Sequence, residues 1–417
     1  MNKPLLIMTY GQSNADRHVT KPRLPSPLLE DLNVVTLTAG MGVRGCGYND
    51  DGTRMDRKGE FTIDGRRVQP ANLPPVLPAA YNETRGTSML HVAGAMARTQ
   101  TGAPVVGVRA AAKGGLRFVA LPGREGIAGI YKLADGSISP ILTLLAEEAA
   151  EIAAHLAEIC GEAPSVVYIL FVHGEADRST PPGDYVREFN EARALITEGL
   201  AQRGLTPRWL ITQAAGTSAA GDGNAWQSRL AVLDALSMDP DLVFVGPLYP
   251  YPLIDHVHYS SIGKALIGEL SGLVIGLLER GHSWETPFLS HWRLDENIIS
   301  IECATPEPLT FQQGLDHLDN YGFSIPVGPT IQRVTLDGPA RLKIELDTIP
   351  DRKFFLDYAF RRTSRLHPEQ VRNHCFAQGA VRTTWAHSSR AVDGEILRKW
   401  LPGFRLHIDP RTQSAVQ

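Results

Sequence analysis

A chain of 417 residues and 45.5 kDa is long enough for two or three domains, or for one domain with a large appendage. Lysine and arginine number 41 against 45 aspartate and glutamate, a formal charge of −4, which argues against a phosphate-tracking surface and so against nucleic acid as a partner. With 43% hydrophobic and 21% charged residues, the composition also excludes general disorder.

The first ten residues carry one cation, Lys3, and an apolar run shorter than a signal-peptide core; they read as a first buried strand. The longest apolar stretch, residues 266–278, is broken by Glu269 and falls short of the ~18 residues of a membrane span. Cys46, Cys160, Cys303 and Cys375 lie far apart without a Cys-x-x-Cys pair, which suggests neither a disulfide framework nor a thiolate zinc site. The expectation is a soluble cytoplasmic protein with reduced thiols and no membrane partner.

From residue 5 to about 278, short β-branched apolar runs alternate with stretches of helical period. The runs fall at 5–9, 34–38, 105–108, 166–172, 209–212 and 242–245, the helical stretches at about 90–98, 141–159, 185–202, 226–236 and 262–278. This alternation predicts an α/β domain over 1–281, a parallel sheet with helices on both faces. Two connections, 40–86 and 114–140, exceed simple turns and are placed to rim a site at the strand ends. Residues 282–296 read as a linker. Beyond it, short alternating runs at 298–302, 323–327, 331–336, 341–346, 353–358 and 403–408 predict a smaller antiparallel β-domain over 297–417.

Gly11-Gln12-Ser13-Asn14 stands where the first strand ends, a position that exposes the Ser13 hydroxyl at the active edge of a parallel sheet; the plainer alternative is a polar helix cap. Between the last strand and the last helix lies Asp255-His256-Val257-His258. A hydroxyl nucleophile needs a base and a carboxylate to orient that base, and Asp255 and His258 can supply both from one turn. Asp255 could instead cap the helix. His256-x-His258 could bind a metal, a weak reading because no further ligands appear at recognisable spacing. Gly40-Met-Gly42-Val-Arg-Gly45 matches a dinucleotide fingerprint, but Cys-Gly-Tyr-Asn-Asp-Asp-Gly follows it, which cannot be the required helix. No Gly-x-Ser-x-Gly elbow and no Walker loop occur.

Taken together, Gly-Gln-Ser-Asn after the first strand and Asp-x-x-His before the last helix resemble the SGNH (GDSL-like) hydrolases, in the Gly-Gln-Ser-Asn branch that holds sialate O-acetylesterases and carbohydrate acetylesterases. Ala112-Lys113-Gly114-Gly115 resembles the family's oxyanion-hole glycine block, and His173-Gly174-Glu175-Ala176-Asp177 its Gln-Gly-Glu-x-Asp block, with His173 in place of Gln. The resemblance covers 1–280 and implies a flavodoxin-like three-layer α/β/α sandwich. It implies Ser13, His258 and Asp255 as a catalytic triad, an oxyanion hole of Ser13, Gly114 and the His173 side chain, and supporting roles for Gln12, Asn14, Gly115, Glu175 and Asp177. Glu175 and Asp177 could equally be carboxylates that organise the loop. No metal or cofactor is implied, and the substrate would be an acetyl ester on a saccharide. Tyr48, Phe118 and Tyr131 are expected near the acyl position, where they would favour short acyl groups. Arg44, Arg54, Arg57, Arg66 and Arg67 could select an acidic saccharide, or simply form a solvated surface. The rival readings are a lipid or aryl esterase of the same superfamily and a non-catalytic glycan-binding or virion protein. The sequence does not fix the oligomeric state.

Overall fold

The computed structural model describes residues 3–15, 20–37, 42, 80, 86–120, 129–215, 226–255, 257–315, 318–360, 378–411 and 414–416. Six parallel strands form the central sheet: β1 (Leu5–Gly11), β2 (Val34–Val35), β3 (Val106–Ala112), β4 (Val166–Val172), β5 (Thr206–Gln213) and β6 (Val243–Pro247), in the order β2-β3-β1-β4-β5-β6. With the two-residue edge strand β2 set aside, the order is second-first-third-fourth-fifth, the flavodoxin-like winding. Its switch point lies between β1 and β4, where ligands of such sheets bind. Every residue of β1 and β3 is buried, because helices cover both faces of the sheet.

The helices are α1 (Met89–Thr101), α2 (Pro140–Cys160), α3 (Pro182–Ala201), α4 (Gln227–Met238) and α5 (Ser261–Glu279). Their ends follow the local chemistry. Ser88, Ser139 and Ser260 accept hydrogen bonds from the first-turn N–H groups of α1, α2 and α5, while left-handed Gly102 and Gly161 close α1 and α2. Helices α2, α3 and α4 pack on one face of the sheet and α1 and α5 on the other. Helix α5 is apolar enough to cross a bilayer by length and composition, yet it is buried against α1. Gly268 and Gly272 permit that contact: a Cβ on either would stand 2.3 and 2.4 Å from the carbonyl oxygens of Met89 and Ala93.

The second part of the chain is antiparallel throughout. Its strands are β7 (Phe288–Asp295), β8 (Ile298–Ala304), β9 (Leu309–Phe311), β10 (Phe323–Ser324), β11 (Ile331–Leu336), β12 (Arg341–Leu346), β13 (Phe354–Tyr358), β14 (Val381–Ser388), β15 (Ile396–Trp400), β16 (Phe404–Ile408) and β17 (Ser414–Val416). They form three sheets, β11-β12-β8-β7-β17, β10-β13-β16 and β15-β14-β9. The segment expected as a linker holds β7, which starts at Phe288 because Trp292 and Leu294 enter the core beside Ile299 and Ile301.

The seam between the two parts is polar and closely bonded. The Arg229 guanidinium, fully buried on α4, donates to the Ala359 carbonyl at 2.6 Å and to Gln378 Oε1 at 2.8 Å. Gln213, at the end of β5, exchanges hydrogen bonds with the backbone of Gly403, and the Tyr249 hydroxyl donates to the Leu401 carbonyl at 2.8 Å. Glu269, the acid that interrupts α5, accepts from the Ser389 hydroxyl at 2.5 Å and from the N–H groups of Arg390 and Ala391. The β-domain therefore closes against the carboxyl ends of β5 and β6.

Candidate functional site

Ser13 follows β1 at the switch point. Gly11 reaches it with φ +153°, and a Cβ there would lie 2.0 Å from the Val172 carbonyl oxygen, so the close approach of β1 to the end of β4 needs glycine. Across the sheet ends a hairpin is closed where Leu253 bridges Tyr259 and the Ile254 N–H donates to the His258 carbonyl at 2.8 Å. The Thr20 hydroxyl holds this hairpin from outside through the Tyr259 carbonyl. Ser260 caps α5, so the cap role open to Asp255 is taken, and Asp255 accepts instead from the N–H groups of Val257 and His258 at 2.8 and 2.7 Å.

The hairpin delivers a continuous chain. His258 Nδ1 donates to Asp255 Oδ2 at 2.7 Å, and the Ser13 hydroxyl donates to His258 Nε2 at 3.1 Å. The tautomer follows from its partners, since a carboxylate oxygen can only accept. The hydrogen bond to Asp255 raises the imidazole pKa above its ordinary 6.5, against the opposing effect of partial burial. Partial burial pushes the Asp255 carboxyl up, but the hydrogen bonds from the His258 ring and the two N–H groups outweigh it and bring the pKa to about 2. Asp255 is thus ionised whenever His258 titrates.

Gln12 and Asn14 are tied by Glu175. Gln12 Nε2 donates to Glu175 Oε2 at 2.5 Å and Asn14 Nδ2 to Oε1 at 2.9 Å, while Gln12 Oε1 accepts from the Ala176 N–H. Asn14 Nδ2 also donates to the Val257 carbonyl at 2.8 Å, which links the serine turn directly to the histidine hairpin. Burial raises the Glu175 pKa, partly offset by the hydrogen bond from Asn14 and the His258 charge. Glu175 is an organiser: its two oxygens are occupied by the residues on either side of Ser13.

Gly114 backs onto the serine, with a built Cβ 3.5 Å from Ser13 Cβ, and Gly115 turns the chain away at φ +74°. Among the described residues no acceptor takes the N–H of Ser13 or of Gly114, so both are available to a developing anion.

His173 lies elsewhere than expected. Its Nε2 faces the Leu116 carbonyl at 3.1 Å and its Nδ1 the Tyr185 hydroxyl at 3.0 Å, so neither nitrogen is left to donate to an oxyanion. Burial lowers its pKa, and the ring sits neutral against Phe118, 4.6 Å between ring centres. Asp177 likewise braces the loop after β3: it accepts from the Phe118 N–H at 2.8 Å and the Thr180 hydroxyl at 2.7 Å and pairs with Arg117 at 3.0 Å. Phe118 and Tyr131, expected beside the acyl group, are core residues; the Tyr131 hydroxyl donates to Glu191. Tyr48, His256 and the five loop arginines lie outside the described residues, as does most of the 40–45 glycine run. Among the described residues no three His, Cys, Asp or Glu side chains converge as metal ligands. Sequence reasoning missed Tyr185 and Arg229, which carry no local motif.

No family model and no curated protein matches the chain in sequence. In structure it is similar to a carbohydrate acetylesterase from Xanthomonas citri at 13% identity and TM-score 0.58, over 96% of this chain and 80% of that one. NanS and an Arabidopsis thaliana protein match two thirds of the chain, 67% and 66%, and nearly all of their own lengths (99% and 98%), each at 14% identity and TM-score 0.38. The similarity to the Xanthomonas protein extends through the β-domain and establishes a shared fold: a three-layer α/β/α sandwich carrying a smaller antiparallel β-domain.

Proposed function

We propose that the chain is a serine ester hydrolase acting on short-chain acyl esters, O-acetyl groups on a carbohydrate foremost. The observation that carries this reading is the unbroken Asp255–His258–Ser13 hydrogen-bond chain, at 2.7 and 3.1 Å, at the switch point of the sheet. In this mechanism Ser13 Oγ bonds to the ester carbonyl carbon while its proton passes to His258 Nε2. The carbonyl oxygen becomes an anion and is met by the Ser13 and Gly114 N–H groups. Collapse breaks the bond to the alcohol oxygen, which leaves with the proton from His258, and Ser13 remains acylated. A water then gives its proton to His258, attacks the acyl carbon, and releases the carboxylic acid as the proton returns to Ser13.

The carbohydrate part of the reading draws on the fold shared with a carbohydrate acetylesterase. Acetate release from a panel of acetylated saccharides, set against butyrate and longer acyl esters, tests it. The expected result is acetate release, with kcat/KM at least ~10-fold lower for butyrate esters and turnover of both lost in Ser13→Ala. Preference for long chains would make it a lipid esterase, and no turnover of any ester would favour a non-catalytic binder.

A further inference from the structure

The outer face of the sheet β15-β14-β9 carries two arginines that pair with no carboxylate among the described residues. Burial alternates along β15: Leu397 and Lys399 point into the core, while Ile396, Arg398 and Trp400 share the outer face. Pairing places Arg382 of β14 opposite Trp400 and opposite Thr310 of β9, and Ala386 opposite Arg398, so these residues belong to that face too. Arg382 Nε donates to Gln312 Oε1 and its Nη1 to the Thr383 carbonyl, both at 2.8 Å, which fixes the plane of the guanidinium and leaves Nη2 with no acceptor among the described residues. Arg398 makes no hydrogen bond or ion pair among the described residues. Burial, and then the charge of Arg398, draw the Arg382 pKa down to about 10, a cost that an anion would relieve.

The surroundings narrow the anion. Trp400, partly exposed, lies opposite Arg382 and two residues along the same face from Arg398, and its ring meets the Tyr249 ring at 6.2 Å and 73°. Tyr249 lies on the segment that runs from β6 into the Asp255–His258 hairpin, so the face adjoins the loop that carries the catalytic pair. A partly exposed indole beside the Arg398 guanidinium and Nη2 of Arg382 fits a sugar ring that bears a carboxylate, with the ring against the indole and the carboxylate bonded to those remaining N–H groups. We propose that Arg382, Arg398 and Trp400 form a subsite for an acidic sugar unit of a longer saccharide substrate. This rests on the carbohydrate ester reading above, and its binding can be measured without any ester.

The test is calorimetric titration of the full chain with unacetylated trigalacturonate, neutral galactotriose and inorganic phosphate. The expected result is binding of trigalacturonate at least ~10-fold tighter than either of the others, weakened at least ~10-fold in Arg398→Gln and in Arg382→Gln and partly restored in Arg398→Lys, with unchanged melting curves. Trigalacturonate binding that depends on the arginines supports the subsite even if no acetate is released, and the ester reading alone then falls. Equal affinity for the neutral trisaccharide, phosphate binding as tight as trigalacturonate, or undiminished binding in both glutamine variants would each overturn the proposal.

Discussion

Asp255→Asn isolates the orienting step of the proposed mechanism. The amide oxygen can keep the hydrogen bonds from the Val257 and His258 N–H groups at Oδ1, so the hairpin is retained. At the position of Oδ2, however, an NH2 group would face His258 Nδ1, which must then become the acceptor. The neutral ring carries its proton on Nε2 instead, pointing at Ser13, and cannot take the serine proton. The loss for such a tautomer reversal in serine hydrolases is ~10⁴ in kcat, equivalent to about 5.4 kcal/mol of transition-state stabilisation. The pH dependence moves as well. His258 works as a base only when neutral, so wild-type kcat/KM rises with pH through a pKa that Asp255 holds above 6.5. Without the carboxylate that limb shifts to lower pH. Hydrolysis of a chromogenic acetate between pH 5 and 9 reads both effects. Turnover within 10-fold of wild type, with the acid limb in place, would refute the reasoning.

His173→Gln should lower stability by about 1 kcal/mol in chemical denaturation through the lost Tyr185 contact and leave kcat within a few-fold; a 10²-fold fall in kcat at unchanged stability would return the side chain to the oxyanion hole. Gly272→Ala puts a Cβ 2.4 Å from the Ala93 carbonyl and should cost about 1–3 kcal/mol by parting α1 from α5, seen as a lower denaturation midpoint, whereas a neutral effect would contradict that packing. A chain ending at Gly281 would strip Arg229, Gln213 and Glu269 of their partners in the β-domain, so it should be insoluble or melt without cooperativity. A soluble, cooperatively melting 1–281 fragment would show that the seam is dispensable.

Much of the first part of the chain was legible because its buried strands are plain β-branched runs and its helices keep a clean period. That Ser13, Asp255 and His258 come together was legible because motif and strand-end position agree. The β-domain was harder. Strands β14 and β15 went unread because their inner positions include Thr383 and Lys399, which break the apolar alternation; Lys399 is accommodated by Glu307 at 2.7 Å and by the ring of Trp284. Strand β7 was hidden by polar residues such as Ser290 and His291 around Trp292. For His173 the sequence shows only its place at the end of β4, while the direction of its ring depends on Tyr185 and Leu116, which only the fold brings together. Glu269 reads in sequence as an interruption of an apolar helix and in structure as the anchor of the 389–391 turn.

The claim on which the rest depends is that Ser13 is activated by His258. Mass spectrometry after treatment with a fluorophosphonate tests it most directly, in the wild type and in His258→Ala. One adduct per chain is expected, on the peptide that contains Ser13, with acetate release lost in step and labelling slowed at least ~10³-fold in His258→Ala. Full labelling elsewhere in the chain, or acetate release that persists when Ser13 is fully modified, would contradict the account.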